Sequence, residues 1–273
     1  MGNVLEQSLY KKDIKRFEKI VDASKEFFGA YCGNSILGVS IFSIIENYAR
    51  KKEIGLEILR YPFHDEELWA FTFVKKGIIF LCINSELAMC KQIFAAAHEL
   101  YHIRCYAEGT DIDTIYMGSV LESKVVDEVA MTQEDLEANA FAGLLLMPDR
   151  LVREQIALYG IKRDSVKVDD ILTLMEVFAL PYKAVVLRLF EEHIITEYKA
   201  RELIKYDVEY IIQRIELTGK AKQWQMNSIR IEYFGSLLNN LEFNSENAFL
   251  TESRKEADKK FLEEIRASFR KNG

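Results

Sequence analysis

The sequence predicts an α+β protein, mostly helical, in which one small antiparallel sheet packs beside a central helix and the C-terminal region extends the helical part. Three observations lead there. Apolar residues recur at helical spacing along most of the chain. β-rich runs bounded by turn residues cluster between positions 55 and 83, while Val208 to Asn247 mixes helical and strand-like patterns around Trp224. Helix breakers are scarce, with 3 prolines in 273 residues, and a hydrophobic share of 49% is enough for a sizeable core.

Taken in order, Asp13 to Phe28 reads as an amphipathic helix, with Ile14, Phe17, Ile20 and Val21 on one stripe. Ile36 to Lys51 reads as a second. The period then changes: Gly55 to Tyr61 is a strand that ends before Pro62, and Leu68 to Val74 and Ile78 to Ile83 form a hairpin around Lys75-Lys76-Gly77. Asn84-Ser85-Glu86 offers a capping residue and a first-turn acid, so a helix is expected from about Glu86 to Tyr106, stopping before Gly109. Another spans Thr132 to Leu146 and stops near Pro148. Beyond it the pattern stays helical, broken at Gly160 and Pro181, and Asp170 to Glu202 reads as three short helices. Glu252 to Lys271 closes the chain with Phe261, Leu262, Ile265 and Phe269 at helical spacing. These elements suggest a helical extension over 1–35, a core domain over 36–160, a helix-turn-helix-like segment over 161–200 and a helical region over 201–273.

Charge and composition exclude several classes. With 43 acidic against 36 basic residues the net charge is -7, which is no polybasic footprint, and direct nucleic-acid binding is not expected. Of the three short helices, the one in the recognition position, Tyr182 to Glu192, carries only Lys183 and Arg188 as cations and ends in Glu191-Glu192. The 4 cysteines contain no CxxC pair and read as small buried hydrophobes in a reducing compartment. Met1 to Arg16 lacks a secretory pattern, and the longest apolar runs, Ile36 to Ile45 and Gly77 to Ile83, are far short of a membrane span. A cytoplasmic location is the expectation.

The chemistry is concentrated in AAAHELYHI, Ala95 to Ile103. Two of the 4 histidines in the chain, His98 and His102, are four residues apart and therefore one turn apart on one helical face, so both imidazoles can reach a metal ion at about 2.0–2.1 Å. Glu99 points away from the ligand pair but borders the metal, placed to take a proton from bound water. A catalytic zinc needs a third protein ligand. The longer HExxHxxGxxH motif would put Gly at 105 and His at 108, where this chain has Cys105 and Glu108. Glu108 is a minor candidate. Glu137, in EANAFAGLLLMP, shares a helical stripe with Phe141, Leu144 and Leu145, and a carboxylate turned toward a core needs a metal or a positive partner. It is the preferred third ligand, with a structural ion pair or a solvated position as the alternatives. Tyr101 lies off the ligand face and reads as core. His64 is a candidate oxyanion donor or a surface histidine, and His193 reads as structural.

AHELYHI followed by EANAFAGLLLMP, with a hairpin before them, resembles the ImmA/IrrE metallopeptidases. The resemblance runs from about Ile41 to Ile195 and includes VFALPYKAVVLRLFEEHII, Val177 to Ile195. It implies zinc bound by His98, His102 and Glu137, Glu99 as catalytic acid and base on zinc-bound water, and cleavage of a cytoplasmic DNA-binding repressor of a mobile element or stress regulon. A zinc-binding regulatory or toxin–antitoxin partner module that binds a repressor without cutting it would carry the same residues. The chain departs from the family in the long interval from His102 to Glu137, where Gly109 to Glu134 is acidic and apolar and could form a lid. The region after about Ala200 lies outside the resemblance.

Overall fold

A computed structural model of the chain describes residues 4–63, 65, 67–109, 119–122, 132–219 and 232–270. Its elements are α1 (Val4–Gln7), α2 (Leu9–Lys12), α3 (Ile14–Phe27), α4 (Ile41–Lys51), β1 (Gly55–Tyr61), β2 (Leu68–Lys75), β3 (Ile78–Asn84), α5 (Met89–Glu108), β4 (Ser119–Glu122), α6 (Gln133–Leu146), α7 (Asp149–Leu158), α8 (Val168–Phe178), α9 (Tyr182–Glu191), α10 (Glu197–Ile204), α11 (Val208–Leu217), β5 (Tyr233–Phe234), α12 (Leu237–Glu246) and α13 (Glu252–Arg270). The mostly helical α+β architecture of the sequence reading is the one observed.

The sheet is mixed rather than wholly antiparallel. Its strand order is β4-β2-β3-β1-β5. β2 and β3 form the expected hairpin, closed by Lys76-Gly77 with φ of 52° and 75°. Two successive positive φ values are what a two-residue type I′ turn requires, and glycine supplies the second without strain. β1, however, pairs with β3 in parallel, Gly55 opposite Ile78 through Tyr61 opposite Asn84. The hairpin folds back between them, so β1 reaches β3 only as its outer, parallel neighbour.

Asn84 ends β3 and organises the turn that leads into α5. Its Oδ1 accepts from the Phe63 and Glu86 amides at 3.2 and 3.0 Å, and its Nδ2 donates to the Asp65 and Leu68 carbonyls at 2.8 and 2.9 Å. Because Asn84 is spent on this junction, it does not cap the helix; α5 begins at Met89 behind Ala88, later than the sequence suggested. It ends where expected, at Gly109, whose left-handed φ of 68° lets its N–H return to the Cys105 and Tyr106 carbonyls.

α5 is the axis of the molecule. From Cys90 to Ile103 almost every side chain is buried, including Ala95, Ala96 and Ala97, and it packs against β2, β3, α4 and α6. A helix buried on all sides has no amphipathic stripe, because it has no solvent face. α6 packs on α5, and its small residues Ala138, Ala140, Ala142 and Gly143 are all buried. The N-terminal helices join the same core: Leu5, Leu9, Phe17, Ile20 and Phe27 belong to the buried cluster that holds Ala96, Leu100 and Phe141, and α3 lies on α6. Tyr10 stacks edge-on against Phe190 at 5.4 Å, and Lys11 and Glu6 pair with Glu197 and Arg201, so the first helices touch the end of α9 and α10.

α9 is anchored by an internal cation. Arg188, 2% exposed, donates to Glu191 and Glu192, each at 2.7 Å, and to the Met147 carbonyl at the end of α6 at 3.3 and 3.4 Å. A Cβ on Gly143 would stand 3.1 Å from Arg188 Cδ, which is why α6 carries glycine there. With Arg188 consumed in this way, α9 offers no arginine to a phosphate backbone. The cysteines are free thiols, and burial pushes Cys82 and Cys32 up to about 12 and Cys90 up to about 11. Among the described residues no helix is long and apolar enough to cross a membrane.

Candidate metal centre

α5 sets two imidazoles on the face it turns to α6. His98 and His102 are each 1% exposed, and their Nε2 atoms converge at 3.3 Å. Two ligands bound at about 2.0–2.1 Å in a tetrahedron stand about 3.3 Å apart, so the spacing is the one a shared zinc-sized ion requires. Burial, then the neighbouring His102 imidazole, pushes the His98 pKa down to about 3, against a hydrogen bond to Asn139 that raises it. The ring is therefore neutral at ordinary pH, the form in which it binds a metal.

The hydrogen bond to Asn139 orients that ring. His98 Nδ1 lies 2.9 Å from Asn139 Oδ1. With a carboxamide oxygen as acceptor, Nδ1 carries the proton and the Nε2 lone pair faces the convergence point. This is the outer hydrogen bond that metal-ligating histidines commonly make. His102 Nδ1 is buried without a hydrogen-bond partner among the described residues.

The carboxylate that completes the group is Asp135. Its Oδ1 is 3.9 Å from His98 Nε2, and His98, His102 and Asp135 offer ligand atoms all within 4.8 Å of one another. Asp135 is the third residue of α6 and forms a capping box with Thr132: Oδ2 accepts from the Thr132 amide and hydroxyl at 3.0 and 2.8 Å. One oxygen thus fixes the carboxylate to the start of the helix and the other faces the histidines. Asp135 and Asn139 are four residues apart, hence on one face of α6, and both meet His98.

Glu137, the preferred third ligand from sequence, is not in this group. It points off the other side of α6, where Oε2 accepts from the Tyr101 hydroxyl at 2.5 Å and Oε1 from Arg16 at 2.7 Å. Its side chain is 15% exposed, so it did need a partner, and the one it has is a cation from α3. Asp135 and Asn139, which meet His98 here, were not singled out from the sequence. The signal available was Asp135 at i-4 from Asn139 in the segment DLEAN, one turn apart on a helix packed against α5.

Glu99 is fully buried next to His98 in the chain, and its charge adds to burial in raising the Cys82 thiol. Glu108 lies at the end of α5, paired with Arg104 at 3.1 Å and away from the histidines. His193 Nε2 meets the Tyr10 hydroxyl at 3.4 Å between α9 and α10, a structural contact. Tyr101 is buried against Phe141. His64 lies outside the described residues, as does most of the Gly109 to Glu134 interval.

The sequence profile of the IrrE N-terminal-like domain, Peptidase M78, matches residues 51–190. The chain belongs to the Peptidase M78 family. No curated protein matches it. The M78 match covers β1 to β3, α5, both residues of the His pair, Asp135 and α9 up to Phe190. It leaves out α1 to α3, and with them Arg16. Behind the M78 site, a cavity of about 810 Å³ opens between α5, α6, α9 and α11, lined by Trp69, Phe94, Leu187 and Ile211 and by Asn139.

Proposed function

We propose that the protein is a zinc-dependent endopeptidase, with His98, His102 and Asp135 as the metal ligands and Glu99 as the acid and base. One observation carries the reading: two buried imidazole nitrogens 3.3 Å apart, with the Asp135 carboxylate close by and the buried carboxylate of Glu99 next to His98 on α5. A bound zinc supplies Lewis acidity and lowers the pKa of water from about 15.7 toward 7.

The chain's own residues supply the rest. Asn139 keeps the His98 lone pair aimed at the ligand position, and Thr132 holds Asp135 so that one oxygen stays directed there. Glu99 takes the proton of the attacking water and returns it to the leaving amine of the peptide. The substrate class proposed is the one the ImmA/IrrE resemblance implies, a DNA-binding repressor of a mobile element or stress regulon, cleaved in the cytoplasm.

Metal content and repressor cleavage test the two halves separately. About one equivalent of zinc is expected in wild type, Glu99→Gln and Glu137→Gln, with loss in His98→Ala and Asp135→Ala. Zinc retained in Asp135→Ala and lost in Glu137→Gln would return the third-ligand role to Glu137. Glu99→Gln should bind a repressor and leave it intact; if that variant still relieves repression, the protein acts by binding and not by proteolysis.

A further inference from the structure

The M78 match begins at residue 51, yet α6, which carries Asp135, is bonded through Glu137 to a side chain from residue 16. α6 is held on two opposite sides. On one, Asp135 and Asn139 address His98. On the other, Glu137 receives the Tyr101 hydroxyl from α5 and the Arg16 guanidinium from α3, and Phe141, one turn further on, packs against Tyr101 and Phe27 at 5.7 and 5.9 Å. Two residues along an α-helix is a rotation of about 200°, so Glu137 and Asp135 face nearly opposite ways.

We propose that Arg16, Glu137 and Tyr101 form a positioning clamp that sets the roll of α6 about its own axis, and thereby aims Asp135 and Asn139 at His98. The inference rests on the reading of His98, His102 and Asp135 as ligands. The sensitivity is geometric. A carboxylate oxygen sits about 6 Å from its helix axis, so a roll of about 10° displaces it by about 1 Å. Metal–ligand distances tolerate about 0.2 Å. The small residues of α6, Ala138, Ala140 and Ala142, give few side-chain atoms to fix its roll. The directional contacts that can fix it are the His98–Asn139 bond on one side and the Tyr101–Glu137–Arg16 bonds on the other. Tyr101 must place its buried hydroxyl on an acceptor, and a carboxylate at 2.5 Å is a strong one. That carboxylate in turn needs a cation, which α3 delivers. The N-terminal helices are on this account part of the metal centre although they lie outside the family match.

The clamp and the ligand assignments of Glu137 predict opposite signs. If Glu137 were a ligand held by Arg16, freeing it would leave zinc binding unchanged or tighter. The clamp predicts that Arg16→Ala weakens it, by about 10-fold, the lower end of what outer partners of metal ligands commonly contribute. Arg16→Lys, which keeps a cation in reach, should restore most of the loss, and Glu137→Gln should keep one equivalent of zinc at reduced affinity. Arg16 is half exposed, so its loss leaves the fold intact, which far-UV circular dichroism checks.

The experiment is competition of wild type, Arg16→Ala, Arg16→Lys and Glu137→Gln with a zinc-buffering chelator, with the His98 side-chain ¹⁵N shifts recorded on the metal-free proteins. The expected result is weaker zinc binding and a shifted His98 Nδ1 resonance in Arg16→Ala, both restored in Arg16→Lys. Wild-type affinity in Arg16→Ala overturns the clamp while leaving the metal site standing. Absence of zinc from the wild type overturns the metal reading; the His98 resonance then decides the clamp alone, and an unchanged resonance in Arg16→Ala overturns that too.

Discussion

Replacing Arg188 with methionine should cost the protein about 4 kcal/mol, because it leaves a buried carboxylate without its cation. The figure follows from the arrangement. Arg188 and Glu191 are each 2% exposed in their side chains, so neither has water as a fallback. Glu192 is more open and has Arg153 at 3.5 Å as a second partner, so it loses less. Removing one partner of a fully buried pair typically costs about 3–5 kcal/mol, and the Met147 carbonyl loses its donor as well, about 1 kcal/mol or more. Methionine keeps the stem that leans on Gly143, so little of the loss is packing. Adding Glu191→Leu removes the stranded charge, and the double variant should return to within about 1 kcal/mol of wild type.

The deficit also has a predictable pH dependence. Burial raises the Glu191 carboxyl above its ordinary value of 4.5, and Arg188 beside it pulls it back down. A carboxyl whose folded-state value is raised contributes stability that is present below the unfolded value and lost as pH rises through the folded one. Without Arg188 the folded value climbs further, so the deficit of Arg188→Met should be small near pH 4.5 and reach its full size above the variant's raised carboxyl. Urea unfolding of wild type, single and double variants at pH 5 and pH 8 measures this. A loss below about 1 kcal/mol in the single variant, or an equal loss at both pH values, refutes the reasoning.

Two further variants probe neighbouring contacts. Asn139→Ala should weaken zinc binding about 10- to 100-fold while leaving stoichiometry at one, since it frees the His98 ring to turn without removing a ligand; isothermal titration with zinc reads this directly. Gly143→Ala should lower stability by about 1 kcal/mol in urea, because crowding the pinned Arg188 stem outweighs the gain in helix propensity, and a net stabilisation would show that the stem can yield.

How legible this was in the sequence differs from element to element for physical reasons. The Lys76-Gly77 hairpin and the end of α5 at Gly109 are written in local chemistry, positive φ at glycine, and they stand where the pattern put them. The parallel partnership of β1 and β3 is not local: the run Gly55 to Tyr61 shows a strand but not its direction relative to a neighbour more than twenty positions on. The start of α5 was misplaced because Asn84 has the chemistry of a cap and uses it elsewhere. At the site, the His98–His102 spacing sufficed to bring two ring nitrogens together. Glu137 was correctly read as turned inward and in need of a partner, but periodicity cannot see Arg16, which is 121 positions away. Asp135 was hidden by its position in the first turn, where an acid usually signifies a cap; here it caps with one oxygen and faces the histidines with the other.

The pairing of Glu6 with Arg201 and of Lys11 with Glu197 has a consequence for the order of events during synthesis. The apolar faces of α1 to α3, carrying Leu5, Leu9, Phe17, Ile20 and Phe27, are made well before α6 and the α9–α10 corner that pack on these helices. At about 5–20 residues per second, the interval between them on the ribosome is roughly 10 to 40 s. Phe27 and Phe17 find ring partners early, in Tyr31, Tyr48 and Tyr10, but the cover from α6 and the α9–α10 corner is still being translated. Slowing elongation before residue 200 should therefore prolong the protease sensitivity of α1 to α3 on the ribosome.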